Sequence, residues 1–167
     1  MGNYTSKIVW GEGGEAAVVP TSSPPSPFVD LVIPVTLEDG AAIPEFKTAA
    51  AAGMDLSSRV NLVLEPNVPT KVDTGVCIAL PWLCYGQIQG RSSVAAKNVD
   101  AFPGVIDADY RGRIQVLLTN RGSEPYAVAR GDRVAQLLVL PVARPVLERV
   151  DSLVPTARGD GGFGSTD

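Results

Sequence analysis

The chain has 167 residues, 45% of them hydrophobic and 19% charged, with a formal net charge of −4. That length and composition suit one globular domain with a core of its own, and exclude both a disordered chain and a pair of ordinary domains. A net negative charge without a basic stripe argues against direct nucleic-acid binding, so an anionic ligand must be met by local arginines and backbone amides.

Residues 1–27 are rich in Gly, Ser and Pro, end in Thr21-Ser22-Ser23-Pro24-Pro25-Ser26-Pro27 and read as a flexible N-terminal arm. From 28 to 150 short runs of Val, Ile and Leu alternate with turn residues. Val29 to Leu37, Val60 to Leu64, Val72 to Leu80, Tyr85 to Gln89, Arg113 to Thr119, Val134 to Leu140 and Val142 to Arg149 are strand-like, broken at Asp39-Gly40, Glu65-Pro66-Asn67, Pro81, Gly122-Ser123 and Gly131-Asp132. Many short strands without intervening helices predict an all-β antiparallel sandwich, barrel or jelly roll. Thr48 to Gly53 is too short for an independent helix, whereas Ser92 to Lys97 suits one or two helical turns with Ser92 or Ser93 near the N-cap. Residues 151–167 form an extended connector and a glycine-rich tail.

Histidine is absent. This removes Ser-His and Cys-His nucleophile pairs, imidazole bases and the usual zinc sets, so the base of an enzyme here must be a carboxylate. Cys77 and Cys84 lie in apolar runs with no metal-knuckle spacing and read as reduced core thiols. No apolar run spans a bilayer and no secretory signal opens the chain, so an intracellular protein of cytoplasm or nucleus is expected. Met1-Gly2-Asn3-Tyr4-Thr5-Ser6 fits the loose N-myristoylation pattern, and membrane contact is expected only if Gly2 is acylated.

Three stretches carry chemistry. Gly104-Val105-Ile106-Asp107-Ala108-Asp109-Tyr110-Arg111-Gly112 sets a carboxylate, a ring and a guanidinium between two glycines; it is either a solvated hairpin or a site where backbone approaches a ligand. Gly90-Arg91-Ser92-Ser93 places an arginine and two hydroxyls at a helix start, which suits an oxyanion or an ordinary capped helix. Arg158 to Thr166 packs four glycines around Phe163, with no local core to bury the ring; it is a frayed end or a lid that orders over a ligand.

Together these segments resemble the homotrimeric dUTPase family, over about Val29 to Thr166. Five motifs occur in the family's order: Ala52 to Ser58, Gly90 to Ser93, Gly104 to Gly112, Arg130 to Gln136, and Arg158 to Thr166. The resemblance implies a jelly-roll-like subunit with one short helix, in a homotrimer whose active sites are shared between chains. The implied activity is hydrolysis of dUTP to dUMP and pyrophosphate with Mg²⁺, which keeps uracil out of DNA and supplies dUMP for dTMP synthesis.

By the same resemblance Asp107 is the base that activates water against the α-phosphorus, and Tyr110 packs on the deoxyribose and leaves no room for a 2′-hydroxyl. Gly104 and Gln115 match backbone contacts to uracil, with Val105, Ile106, Ala108 and Asp109 in the hairpin between them. Ser92, flanked by Arg91 and Ser93, matches the hydroxyl at the scissile bridge, and Gln136 the amide near the α-phosphate. Asp55 matches the acid holding water ligands of a magnesium ion that the substrate phosphates mainly bind. Arg158 matches the γ-phosphate ligand, Phe163 the ring over uracil, and Gly164 and Ser165 the contacts of the closed tail. Gln115 stands where many members have glycine, and the tail ends in Thr166-Asp167 where glycine is usual.

Two alternatives differ in class. A dCTP deaminase on the same fold would need groups for attack at the cytosine ring, against which the uracil-type third motif and Phe163 argue. A non-enzymatic trimeric interaction or signalling protein is suggested by two Arg-Gly-Asp tripeptides, at Arg130 to Asp132 and Arg158 to Asp160, though both lie inside motifs that account for them.

Overall fold

The computed structural model describes residues 6–10, 16–20 and 31–162. Its strands are β1 Ser6–Trp10, β2 Ala16–Pro20, β3 Val35–Leu37, β4 Met54–Ser57, β5 Leu62–Leu64, β6 Thr70–Asp73, β7 Val76–Ile78, β8 Cys84–Gln89, β9 Val99–Ala101, β10 Val105–Ile106, β11 Gln115–Asn120, β12 Tyr126–Val128 and β13 Arg133–Pro141. One helix, α1 Ser92–Ala95, follows β8. Every strand pairing is antiparallel, in agreement with the all-β class expected from the short apolar runs.

Two sheets position the functional segments. In one, the order is β10-β8-β13-β4; in the other, β6-β11-β9. Strict alternation makes these strands two-faced: Cys84, Gly86 and Ile88 of β8 point inward, as do Val116, Leu118 and Asn120 of β11. Leu56, Ile88, Ile106 and Leu137 from the first sheet join Val72, Val99, Val116 and Leu118 from the second in one core cluster. Burying each such side chain contributes roughly 1.5–3 kcal/mol, so this shared core is what fixes the two sheets face to face. In β13 the register shifts between Arg133 and Ala135, which puts both Val134 and Ala135 inside and turns Arg133 outward.

The buried side chains of Asn120 and Thr74 are satisfied. Asn120 Nδ2 donates to the carbonyls of Leu64 at 3.0 Å and Glu124 at 2.7 Å, while its Oδ1 accepts from the Gly122 amide at 2.9 Å. Thr74 Oγ1 donates to the Ile114 carbonyl at 2.7 Å. Both hold loops against the core at positions where an unpaired polar atom would be costly. Cys84 is buried, Cys77 is half-buried and both are free thiols, as the apolar runs suggested.

Several sequence expectations are revised. The run predicted from Val72 to Leu80 is two strands, because Gly75 turns the chain with a φ of 68° between them. Of the run from Val29 to Leu37, the described residues begin at Leu31 and are paired in a ladder over β3, after Pro34. Among the described residues Val142 to Arg149 joins no ladder: Pro145 lacks an amide, and Val146 is 96% exposed. The helix α1 starts at Ser92, next to its N-cap Arg91 as expected, and that N-cap is extended and makes no side-chain cap. Within the N-terminal arm, β1 and β2 pair antiparallel from Ser6 opposite Pro20 to Trp10 opposite Ala16. β-branched pairs at Ile8-Val9 and Val18-Val19 suit that ladder.

Candidate active site

The site grows from a carboxylate on β4. Asp55 faces out of the sheet beside β13, opposite Gln136, and its side chain is only 13% exposed. Oδ1 accepts from Arg91 Nε at 2.8 Å and Oδ2 from Arg133 Nη1 at 3.0 Å. Arg91 Nη1 donates to the Arg133 carbonyl at 3.1 Å, so one guanidinium is fixed by both a charge and a backbone group. Gln136 Nε2 donates to the Gly90 carbonyl at 3.1 Å, tying β13 to the entry of α1. These bonds hold two arginines in place before any ligand arrives.

Asp55, Arg91, Ser92, Ser93, Arg133 and Gln136 line one cleft of about 220 Å³, with Lys47, Ala51 and Gly53. Three cations, two hydroxyls and an amide face a single carboxylate, a balance that suits a polyanion. Gly53 sits in a tight space: a Cβ there would come within 3.0 Å of Gln136 Oε1 and 3.2 Å of Leu138 Cδ1. The first bonds of α1 are donated by Val94 and Ala95 to the Arg91 carbonyl, so the Ser92 and Ser93 amides stand at its open end.

Asp107 lies elsewhere. It follows β10, the strand at the far edge of the sheet whose other edge is β4. Three strand spacings of about 4.8 Å separate those edges by roughly 14 Å, beyond the reach of one aspartate side chain. The 104–112 segment is also not a hairpin, contrary to the sequence expectation. β10 pairs with β8, whereas β11 pairs with β6 and β9, so the loop carries the chain from one sheet to the other.

Within that loop the Tyr110 amide donates to the Asp107 carbonyl at 3.1 Å, closing a turn through Ala108 and Asp109. Ile106 and Ala108 are buried, Val105, Asp107 and Asp109 exposed. Tyr110 lies 42% exposed across Gly112, and its hydroxyl donates to the Arg113 carbonyl at 2.9 Å. Gly104 gives its carbonyl to the Ile88 amide at 2.8 Å, and Gln115 pairs with Asp73.

Arg158 is exposed in the connector, its Nε donating to the Gly161 carbonyl at 2.9 Å, and it lines no part of the Asp55 cleft. Phe163, Gly164 and Ser165 lie outside the described residues. The sequence therefore brings Asp55, Arg91, Ser92, Ser93 and Gln136 together and leaves 104–115 and Arg158 apart within one chain. Arg133 and Lys47 are cleft residues that sequence reasoning did not single out. Arg133 sits inside the fourth motif, which was the available signal.

The family model for dUTPase matches residues 39–167. This chain belongs to the dUTPase family. The deoxyuridine 5′-triphosphate nucleotidohydrolase of Methylocella silvestris is 47% identical over 131 residues, 74% of this chain and 82% of its own. That of Anaplasma marginale is 47% identical over 132 residues, 76% of this chain and 90% of its own. Among solved structures, the dUTPase of Staphylococcus bacteriophage 80alpha with dUpNHpp is 26% identical with a TM-score of 0.74, covering 81% of this chain and 98% of that one. A variant dUTPase from phage phi11 of S. aureus, described for its coordination of a structural Mg(II) ion, is 26% identical with a TM-score of 0.70, covering 73% and 98%. The all-β subunit with one short helix is thus the jelly-roll-like fold of these dUTPases. Among the described residues no helix is long and apolar enough to cross a membrane.

The same residues bear on a metal. No group of three His, Cys, Asp or Glu among the described residues forms a protein cage. Asp55, paired to two arginines, has lone pairs left for water. This donor set fits a magnesium ion that keeps its waters and is held chiefly by phosphate.

Proposed function

We propose that the protein is a dUTP diphosphatase that hydrolyses dUTP to dUMP and pyrophosphate in a homotrimer with shared sites. The observation that carries this reading is the division of the motifs: Asp55, Arg91, Ser92, Ser93, Arg133 and Gln136 line one cationic cleft, and no residue of the 104–115 segment lines it. On this reading a second copy presents its 104–115 loop to the cleft.

In this reading Arg91 and Arg133, braced by Asp55, receive the triphosphate, and Ser92 and Ser93 bond its bridging and terminal oxygens. Gln136 contacts the α-phosphate. From the neighbouring chain, Asp107 accepts a proton from water as the water oxygen bonds to the α-phosphorus; the α–β bridge breaks and pyrophosphate leaves. Asp107 makes no side-chain hydrogen bond or ion pair to the described residues, which leaves its oxygens for that water. A magnesium ion, when bound with the phosphates, supplies charge neutralisation, and Asp55 is the residue that would accept from its waters. Tyr110 stacks on the deoxyribose, and the backbone at Gly104 and Gln115, with Val105, Ile106, Ala108 and Asp109 between, reads uracil.

Residues 28–150 are the catalytic body on this reading and 151–167 a lid, with Arg158 on the γ-phosphate and Phe163 over the base. The substrate is a nucleotide of the cell interior, where the protein acts. The test is pyrophosphate release from dUTP, dCTP, dTTP and UTP, with and without Mg²⁺. Strong preference for dUTP with Mg²⁺ supports the reading; ammonia release from dCTP, or no turnover at all, overturns it.

A further inference from the structure

The loop that carries Tyr110 ends on an ionic cluster to which no role has been given. Arg113 Nη1 lies 3.2 Å from Glu38 Oε2 and 3.3 Å from Asp73 Oδ2. Arg59 spans the same two acids, Nη2 at 2.6 Å from Asp73 Oδ2 and Nη1 at 3.3 Å from Glu38 Oε2. Asp73 Oδ1 accepts from the Gly75 amide at 2.9 Å, so each of its oxygens is occupied. The cluster joins four segments distant in sequence: the end of β3, the loop after β4, the β6–β7 turn and the start of β11.

Its location gives it consequence. Ile114, fully buried, donates to the Val76 carbonyl at 2.8 Å and accepts from Thr74 Oγ1 at 2.7 Å, and Gln115 is the ladder partner of Asp73. The downstream end of the loop is therefore clamped by the β6–β7 turn at 114 and 115, and by the cluster at 113. The Tyr110 hydroxyl then reaches the Arg113 carbonyl at 2.9 Å, the one side-chain hydrogen bond the ring makes among the described residues. The backbone of Tyr110 is held inside the loop, its amide donating to the Asp107 carbonyl at 3.1 Å and its carbonyl accepting from Arg111 Nη1 at 2.9 Å, while the tip of the ring is tied to Arg113.

We infer that Arg113, held by Asp73 and Glu38, the two acids that Arg59 also pairs, is a positioning residue that sets the angle of the Tyr110 ring and with it the rejection of ribonucleotides. A ring that excludes a 2′-hydroxyl works only in van der Waals contact with the sugar, so a displacement of about 1 Å admits the extra oxygen. Exposed ion pairs are worth little by themselves, and Arg113 is partly exposed. The effect is accordingly one of selectivity rather than stability. Asp73 and Arg59 are better shielded, and Arg59 Nε is buried without a partner, so Arg59 acts through its two terminal nitrogens.

This inference rests on the assignment of Tyr110 to the sugar. The experiment compares kcat/KM for dUTP and UTP in the wild type and in Arg113→Ala, Arg113→Lys, Tyr110→Phe and Tyr110→Ala, each checked for folding by thermal unfolding. Arg113→Ala and Tyr110→Phe are expected to lower the dUTP-to-UTP ratio about five- to tenfold, with Arg113→Lys between them and the wild type. If Tyr110→Ala lowers the ratio while Arg113→Ala and Tyr110→Phe leave it unchanged, or reduce both substrates equally, the positioning role is overturned and the sugar assignment stands. If Tyr110→Ala also leaves the ratio unchanged, the sugar assignment itself fails.

Discussion

Asp55 Oδ1 accepts from Arg91 Nε at 2.8 Å, locking the residue that opens α1 to the outer face of β4. Both side chains are mostly shielded, so this pair holds its geometry in the absence of phosphate. Asp55→Ala would leave two guanidiniums without their acceptor. The expected outcome is a loss of about 1–3 kcal/mol in stability and a roughly tenfold or greater fall in kcat/KM for dUTP. Thermal melts and pyrophosphate release measure the two effects; wild-type values in both would contradict the bracing role.

Asp107→Asn keeps the size of the side chain and removes its basicity. Turnover is expected to fall about 10²- to 10⁴-fold while a non-hydrolysable dUTP analogue binds with near wild-type affinity. Isothermal titration with the analogue separates these quantities. A variant that keeps full turnover would dismiss Asp107 as the base.

Gly112 is needed for space. A Cβ there would overlap the hydroxyl end of the Tyr110 ring, which must then leave its place over the loop. Gly112→Ala is expected to raise KM for dUTP roughly tenfold with a melting temperature close to wild type. An unchanged KM would mean that the ring position does not matter to binding.

Ending the chain at Ala157 removes the proposed lid and no strand among the described residues, whose last strand closes at Pro141. The truncated protein should melt like the full chain and lose at least about tenfold in kcat/KM, because an open site admits water and omits Arg158 and Phe163. Near-normal kinetics would remove the lid from the mechanism.

The pH dependence of stability has a sign set by Asp73. Burial raises its carboxyl, but the Arg59 hydrogen bond, the Gly75 amide and the charges of Arg59 and Arg113 outweigh burial and hold it below the usual aspartate value. A carboxyl depressed on folding contributes stability that is present above the unfolded pKa of about 3.9 and lost as pH falls through the folded value. The melting-temperature gap between wild type and Asp73→Asn should therefore be constant near neutrality and shrink in acid below about pH 4. A gap that widens in acid would contradict the sign.

Much of the fold could be read from alternation. The runs at Tyr85 to Gln89, Arg113 to Thr119 and Val134 to Leu140 correspond to β8, β11 and β13 within a residue or two at their ends. β9, β10 and β12 have only two or three residues each, too few for a period to show. Val142 to Arg149 has the composition of a strand without a partner edge among the described residues, and pairing is not a local property. Five of the cleft residues were legible because they sit in motifs, whereas Lys47 gave no such sign.

The sequence by itself determined the alphabet of the site: no histidine, hence a carboxylate base, with arginines, serines and glycines in five motifs of fixed order. It also determined which face of each long strand is apolar, because side chains alternate with the backbone's own period. Only the tertiary structure decided that Asp55 meets Arg133, 78 residues away, and that the Asp107 loop crosses between sheets instead of folding back as a hairpin. Strand order is a choice among non-local pairings made by the shared core. It sets Asp55 on one edge strand of a sheet and the Asp107 loop after the strand at the other edge.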